Sequence, residues 1–149
     1  MRIAVQAHPF DLGAESAAFA AGVAGAGAVV TFTGIVRGDG GLSAMEIEHY
    51  PGMTESALRD YAAVAIARFR LTDALVIHRH GRLAVGEPIM MVATAAPHRA
   101  DAFAAADYLM DWLKSRAPFW KKEIGPDGAA WVAAKDDDER SLARWVPAR

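Results

Sequence analysis

The sequence predicts an α+β fold, and three observations predict it. Runs rich in β-branched residues alternate with Ala- and Leu-rich runs at helical spacing along the 149 residues. Gly- and Pro-containing breaks join at least two pairs of strand runs as hairpins, which a strict strand–helix alternation would not do. No stretch has linker or repeat composition, so residues 1–149 are expected to form a single domain.

The elements follow in chain order. Arg2–Ala7 predicts a short strand, and Asp11 can cap a helix that runs through the Ala-rich stretch to about Gly22. Ala28–Val36 (AVVTFTGIV) predicts a buried strand, Gly38–Gly41 a turn or mobile loop, and Ala44–Tyr50 a second strand. Residues 28–50 are therefore expected to form an antiparallel pair with a flexible tip. After the Pro51-Gly52 break, Thr54 can cap a helix carrying Leu58, Tyr61, Ala65 and Phe69 at helical spacing.

Ala74–His80 and Pro88–Ala95 predict two strands joined across Gly81 and Gly86. Pro88 marks a strand start or an edge. A long helix is expected from His98 to about Arg116, with Ala102, Phe103, Ala106, Leu109, Met110 and Leu113 as its buried stripe. Pro118 ends it. Phe119–Ile124 and Trp131–Ala134 predict strands around the Gly125-Pro126-Asp127-Gly128 turn. The acids at 136–139 suit the start of a last helix.

Composition narrows the function. Hydrophobic residues are 53% and charged residues 23%, which places the chain among soluble globular proteins and excludes a disordered one. Sixteen Lys and Arg against eighteen Asp and Glu leave a formal net charge of −2, so the basic excess of a protein that lives on long nucleic acid is missing. Any basic site must be local. The sequence has no Cys, which removes disulfides, zinc–thiolate sites and cysteine nucleophiles. It also means that the chain cannot carry sulfur as its own persulfide. Ser16–Val36 lacks charge and is long enough to span a bilayer, but its seven Ala and four Gly read as helix, break and strand. No signal peptide is evident, and a cytoplasmic location is expected.

The densest cationic segment is Lys114–Lys122 (KSRAPFWKK), with no acid between Asp111 and Glu123. On a strand, Lys121 and Lys122 face opposite sides, and Lys121 shares a face with Glu123. The segment is either a solvated basic patch or an anion site with a lysine able to act as acid or base, since desolvation and neighbouring cations lower a lysine pKa. Pro97-His98-Arg99 opens a helix and could take phosphate or carboxylate, or simply be a solvated turn. Arg37 lies beside the GDGG loop and could clamp a ligand. His78 and His80 share a strand face, but two ligands make a weak metal site, so a surface His pair is expected and no metal. No dinucleotide, Walker, nucleophile-elbow or metalloprotease motif is present.

Five segments, VTFTGIVR (30–37), IEHYPGM (47–53), IHRHGRLAVGE (77–87), PHRADAF (97–103) and DWLKSRAPFWKKE (111–123), carry a resemblance. Together they resemble the large, catalytic subunit of molybdopterin synthase, in family order and over nearly the whole chain. The resemblance implies a hammerhead-like α/β part with an additional antiparallel β subdomain. It implies a sulfurtransferase of molybdenum cofactor biosynthesis that converts cyclic pyranopterin monophosphate to molybdopterin. The two dithiolene sulfurs would come from the C-terminal thiocarboxylate of a small ubiquitin-like carrier subunit. The implied assembly is a homodimer of large subunits within a heterotetramer, and no cofactor is implied.

Carried onto this sequence, the family's catalytic lysine falls on Lys114 and a second functional lysine on Lys121. Substrate contacts fall on Ile35, Val36, Arg37, His98, Arg99, Lys121, Lys122 and Glu123. Ile35 stands where some members carry a basic residue, so only its backbone could serve. His80 replaces a commonly aliphatic residue, and Lys122 replaces an Arg of some relatives. His98 and Lys114 are sixteen residues apart on one expected helix, about 24 Å at 1.5 Å per residue. One site using both therefore needs either a break in the helix or ends from different subunits, and the expectation is a pocket across a homodimer interface with His98 and Arg99 donated by a second copy. The competing expectations are a docking module for a ubiquitin-like partner that has lost chemistry, and a small RNA-binding domain using the 116–122 patch.

Overall fold

The computed structural model describes residues 1–133 and 135–146. In chain order the elements are β1 (Arg2–Gln6), α1 (Leu12–Ala21), β2 (Ala28–Ile35), a 3₁₀ turn (Asp39–Gly41), β3 (Ala44–His49), α2 (Met53–Phe69), β4 (Asp73–Arg79), β5 (Gly81–Ala84), β6 (Pro88–Ala96), α3 (Arg99–Ser115), β7 (Phe119–Gly125), β8 (Gly128–Trp131) and α4 (Asp136–Ala143). The strands form two four-stranded sheets, ordered β1-β4-β6-β2 and β5-β3-β7-β8. Only the β1–β4 pair is parallel among the described ladders. The α+β class is as the sequence predicts.

The first sheet is covered on both faces, which explains why β4 and β6 read as continuous apolar runs. Leu75, Ile77, Met91, Ala93 and Ala95 face α1 through Phe19 and Val23. Ala74, Val76, Met90 and Val92 face α2 and α3 through Leu58, Ala65, Ala105 and Leu109. Asp11 caps α1 as expected, its Oδ1 accepting from the Ala14 N–H at 2.9 Å. Thr94 is buried on the same face and donates through Oγ1 to the Ala102 carbonyl at 2.7 Å, which pins the first turn of α3 to β6.

Several expectations are corrected. Residues 28–50 do not form a hairpin: β2 pairs with β6 in one sheet, and β3 pairs with β5 and β7 in the other. The reason is charge as well as shape. Glu46 of β3 sits in register between Arg82 and Lys122, whereas β2 carries no charge to offer it. Nor is β2 buried. It is the edge of its sheet, and Val29, Phe32 and Ile35 remain exposed. β5 was not foreseen as a strand; it leaves the β4–β6 connection to join the second sheet.

Thr54 is not the cap of α2. Gly52 is, at φ 82°, and the Glu55 carboxylate accepts from its N–H at 2.8 Å. Thr54 is buried instead. Its Oγ1 accepts from the Tyr50 N–H and donates to the Pro118 carbonyl, both at 3.0 Å, so it ties the β3–α2 turn to the α3–β7 turn. On α3, Ala102, Ala106, Leu109 and Leu113 are buried as expected, Ala105 and Tyr108 join them, and Met110 is half-buried. Phe103 is 62% exposed, because the helix turns that position away from both sheet and α2. The last hairpin is tighter than expected. β8 begins at Gly128, whose φ of 109° closes the turn, and ends at Trp131, while Ala134 lies outside the described residues. No described helix is long and apolar enough to cross a membrane.

Candidate active site

Topology sorts the candidate residues into two ends. α3 starts just after β6 ends and runs back along it, so its C-terminal turn lies over the end of the sheet where β6 begins. At that end Ile35 pairs with Pro88, and His78 pairs with Met90. Lys114, Lys121, Ile35, Val36 and Arg37 therefore gather at one end of the molecule. His98 and Arg99 lie at the other, next to where Ala28 pairs with Ala96. α3 is unbroken from Arg99 to Ser115, so about 24 Å of helix separates the two groups.

Lys114 is exposed in the last turn of α3, where a cation suits the negative helix end. Lys121 is on the inward face of β7, in register with the buried Ile47. Its pKa is lowered, first by burial and then by the Lys114 charge, with Lys135 adding to the effect and Asp138 opposing it. The two lysines are thus close enough to repel, and Lys135 and Asp138 at the start of α4 lie close enough to act on Lys121 as well. A lysine in that state gives up a proton more readily than one in water, and an anion arriving between the two cations relieves their repulsion.

Lys122 faces the other way, as strand alternation requires. Its ammonium lies 4.5 Å from the centroid of the Trp131 ring, a cation–π contact across the β7–β8 pair. Glu123 is exposed further along β7. Arg37 is also exposed and pairs with Asp39 at 2.6 Å beside the 3₁₀ turn. Ile35 is 56% exposed, while Val36 is buried with both backbone groups engaged. The Val36 N–H donates to the Glu87 carbonyl, and its own carbonyl accepts from Gly86. Val36 thus anchors the strand end from which Ile35 and Arg37 project.

A neighbour of this end departs from the surface His pair that the sequence predicts. His78 is buried under Phe119, ring centroids 3.7 Å apart and planes 16° from parallel. Its partner in that reading, His80, instead packs on His49 at 4.0 Å. Burial and the His49 charge lower the His80 pKa. Asp138 belongs to the acidic run expected to start the last helix, and Lys135 to no motif, and only the folded chain brings the start of α4 to Lys121.

Comparison with known proteins places this geometry. A family model described as MoaE protein matches residues 5–116. The chain belongs to the MoaE family. A Cereibacter sphaeroides relative named molybdopterin synthase catalytic subunit is 68% identical over 146 residues, covering 97% of this chain and 100% of its own. A solved MoaE protein of molybdopterin biosynthesis from Burkholderia ambifaria superposes with a TM-score of 0.84 at 50% identity, covering 97% of each chain. A Helicobacter pylori chain, solved as a complex of subunits 1 and 2 of molybdopterin-converting factor, shares the fold at TM-score 0.75 and 17% identity, covering 90% of each. As a MoaE-family catalytic subunit, the protein is an enzyme of molybdopterin formation. The Lys114 and Lys121 pair lies in or just beyond the matched span, on the elements that close its C-terminal end.

Proposed function

We propose that the enzyme converts cyclic pyranopterin monophosphate to molybdopterin, inserting two sulfurs delivered as the C-terminal thiocarboxylate of a small ubiquitin-like carrier. One observation carries this reading. Lys121, its charge destabilised by burial and by Lys114, sits at one end of a chain with no Cys to carry sulfur. A thiocarboxylate tail and a phosphorylated pterin are both anionic, and each gains from the two cations. The complex reported for the Helicobacter pylori chain of this fold supports a second subunit.

In this reading Lys114 transfers the proton as thiocarboxylate sulfur attacks the pterin to form a thioester, and again as water hydrolyses that thioester, leaving the sulfur on the pterin and the carrier as its C-terminal carboxylate. Lys121 and Arg37 bind and orient phosphate and pterin, with the backbone of Ile35 at the rim. Val36 holds that rim from inside the core. Glu123 flanks the substrate on the face of β7 it shares with Lys121, and Lys122, turned to the outer face onto Trp131, serves the substrate-contacting run through the strand backbone. His98 and Arg99 complete the site from a second copy, because their own helix holds them about 24 Å from Lys114. The uncharged edge of β2, with Val29, Phe32 and Ile35 exposed, and the nearby exposed Phe103 of α3 supply an apolar face for that second copy.

Single-turnover sulfur transfer tests the proposal. Purified protein is mixed with cyclic pyranopterin monophosphate and thiocarboxylated carrier, with Lys114→Ala alongside. We expect product from the wild type and a rate lower by roughly 100-fold or more from the variant. Carrier bound tightly without product from either protein would leave a docking module in place of the enzyme.

A further inference from the structure

We propose that His78 is a positioning residue for Lys121: its imidazole, stacked on Phe119 at the head of β7, sets this strand end and provides at Nε2 a lone pair that accepts from the lysine ammonium through one water. The inference rests on Lys121 serving sulfur transfer as proposed above.

The geometry begins with the ring's tautomer. His78 is 3% exposed, and its Nδ1 lies 2.8 Å from the Arg79 carbonyl oxygen. A carbonyl can only accept, so Nδ1 carries the hydrogen and Nε2 carries the lone pair. Among the described residues that bond is the one hydrogen bond of the His78 side chain. Nε2 is not among the sealed, unpartnered side-chain atoms of the described residues, which are Trp112 Nε1 and Ser115 Oγ, so it keeps enough access to take a bridging water.

The donor at hand is Lys121. Phe119 and Lys121 alternate onto the same face of β7, and the ring that stacks on Phe119 belongs to His78. Lys121 is also the charged group that acts most strongly on His78. Burial, then Lys121, and then His80 and His49 push the imidazole down to about 3, against the opposing pull of the Arg79 carbonyl. His78 is therefore neutral at any working pH. Its lone pair is always available, and it adds no third positive charge beside Lys114 and Lys121. The titratable groups facing Lys121 come from three directions: the charged Lys114 from α3, the charged Lys135 and Asp138 from the start of α4, and the neutral His78 from β4.

The test compares His78→Phe, which keeps the stack and loses the acceptor, with His78→Gln, which restores an acceptor near Nε2. The Lys121 side-chain titration is followed by NMR, and kcat, KM and the pH profile of sulfur transfer are measured. His78→Phe should titrate Lys121 at a lower pH than the wild type and cut kcat about tenfold with KM for the pterin little changed. His78→Gln should recover part of both. In the wild type, the ¹⁵N resonance of His78 Nε2 should be that of an unprotonated nitrogen accepting a hydrogen bond. A protonated Nε2, or a Lys121 titration unmoved in His78→Phe, overturns the proposal. So does an equal loss of kcat in both variants with the titration unchanged, which is the signature of packing alone. The titration and the Nε2 resonance do not need turnover, so they stand even where the wild type forms no product, an outcome that would sink only the sulfur-transfer reading.

Discussion

Lys121 carries its charge at a cost to the fold. Its pKa is lowered from 10.5, so folding disfavours the ammonium form and the unfolded chain binds the proton more tightly. The sign follows directly. The penalty is fully present below the folded pKa, and stability recovers as pH rises from there toward 10.5. Lys121→Met should therefore unfold at a higher temperature than the wild type at neutral pH, by a few degrees, while losing sulfur transfer. The gain should narrow as pH rises into the lysine range. Thermal unfolding across pH checks this, and a variant less stable than the wild type at pH 7 would show that the charge is not a burden. Such a trade of stability for activity is what a functional lysine predicts, whereas a solvated surface lysine would cost nothing.

Among the elements, the joint between β2 and the β6–α3 turn leaves the least room for change. Gly27 donates its N–H to the Ala96 carbonyl at 2.9 Å. A Cβ built on Gly27 would come within 2.2 Å of the Pro97 carbonyl oxygen, which is backbone and cannot swing aside. Gly27→Ala should destabilise the protein by about 1–3 kcal/mol, the usual range for overpacking. Urea unfolding measures it, and a change under 0.5 kcal/mol, of the size seen at unconstrained surface positions, would contradict the close approach. The helices themselves were legible: Asp11, the apolar spacing of 58–69 and the stop at Pro118 predict α1, α2 and α3 close to their observed ends. Strand pairing was not. AVVTFTGIV has the composition of a buried strand, and only its place at the sheet edge leaves Phe32 and Ile35 in solvent.

At the scale of the whole molecule, one chain holds the two halves of the proposed site apart. A symmetric dimer can join them, each copy lending its His98 end to the other's Lys114 end. Mixing equal amounts of Lys114→Ala and Arg99→Ala chains after unfolding and refolding tests this. Random pairing leaves half of the molecules as mixed dimers, each with one intact site, so activity should return to about a quarter of the wild type. Activity no greater than that of either variant alone would confine each site to a single copy.

The residues of the proposed site could be nominated from sequence, because chemistry is a property of residue type. A Cys-free chain with a cationic KSRAPFWKK segment points to lysine chemistry before any coordinate is known, and strand alternation alone separates Lys121 from Lys122. The tertiary structure decided what depends on distant segments meeting. It sent β2 and β3 to different sheets, buried His78 under Phe119, and brought Lys135 and Asp138 within electrostatic reach of Lys121. Helix signals are local, within a turn or two of chain, so the sequence shows them. Pairing, burial and the pKa of a lysine are set by neighbours many residues away, and only the folded chain chooses those neighbours.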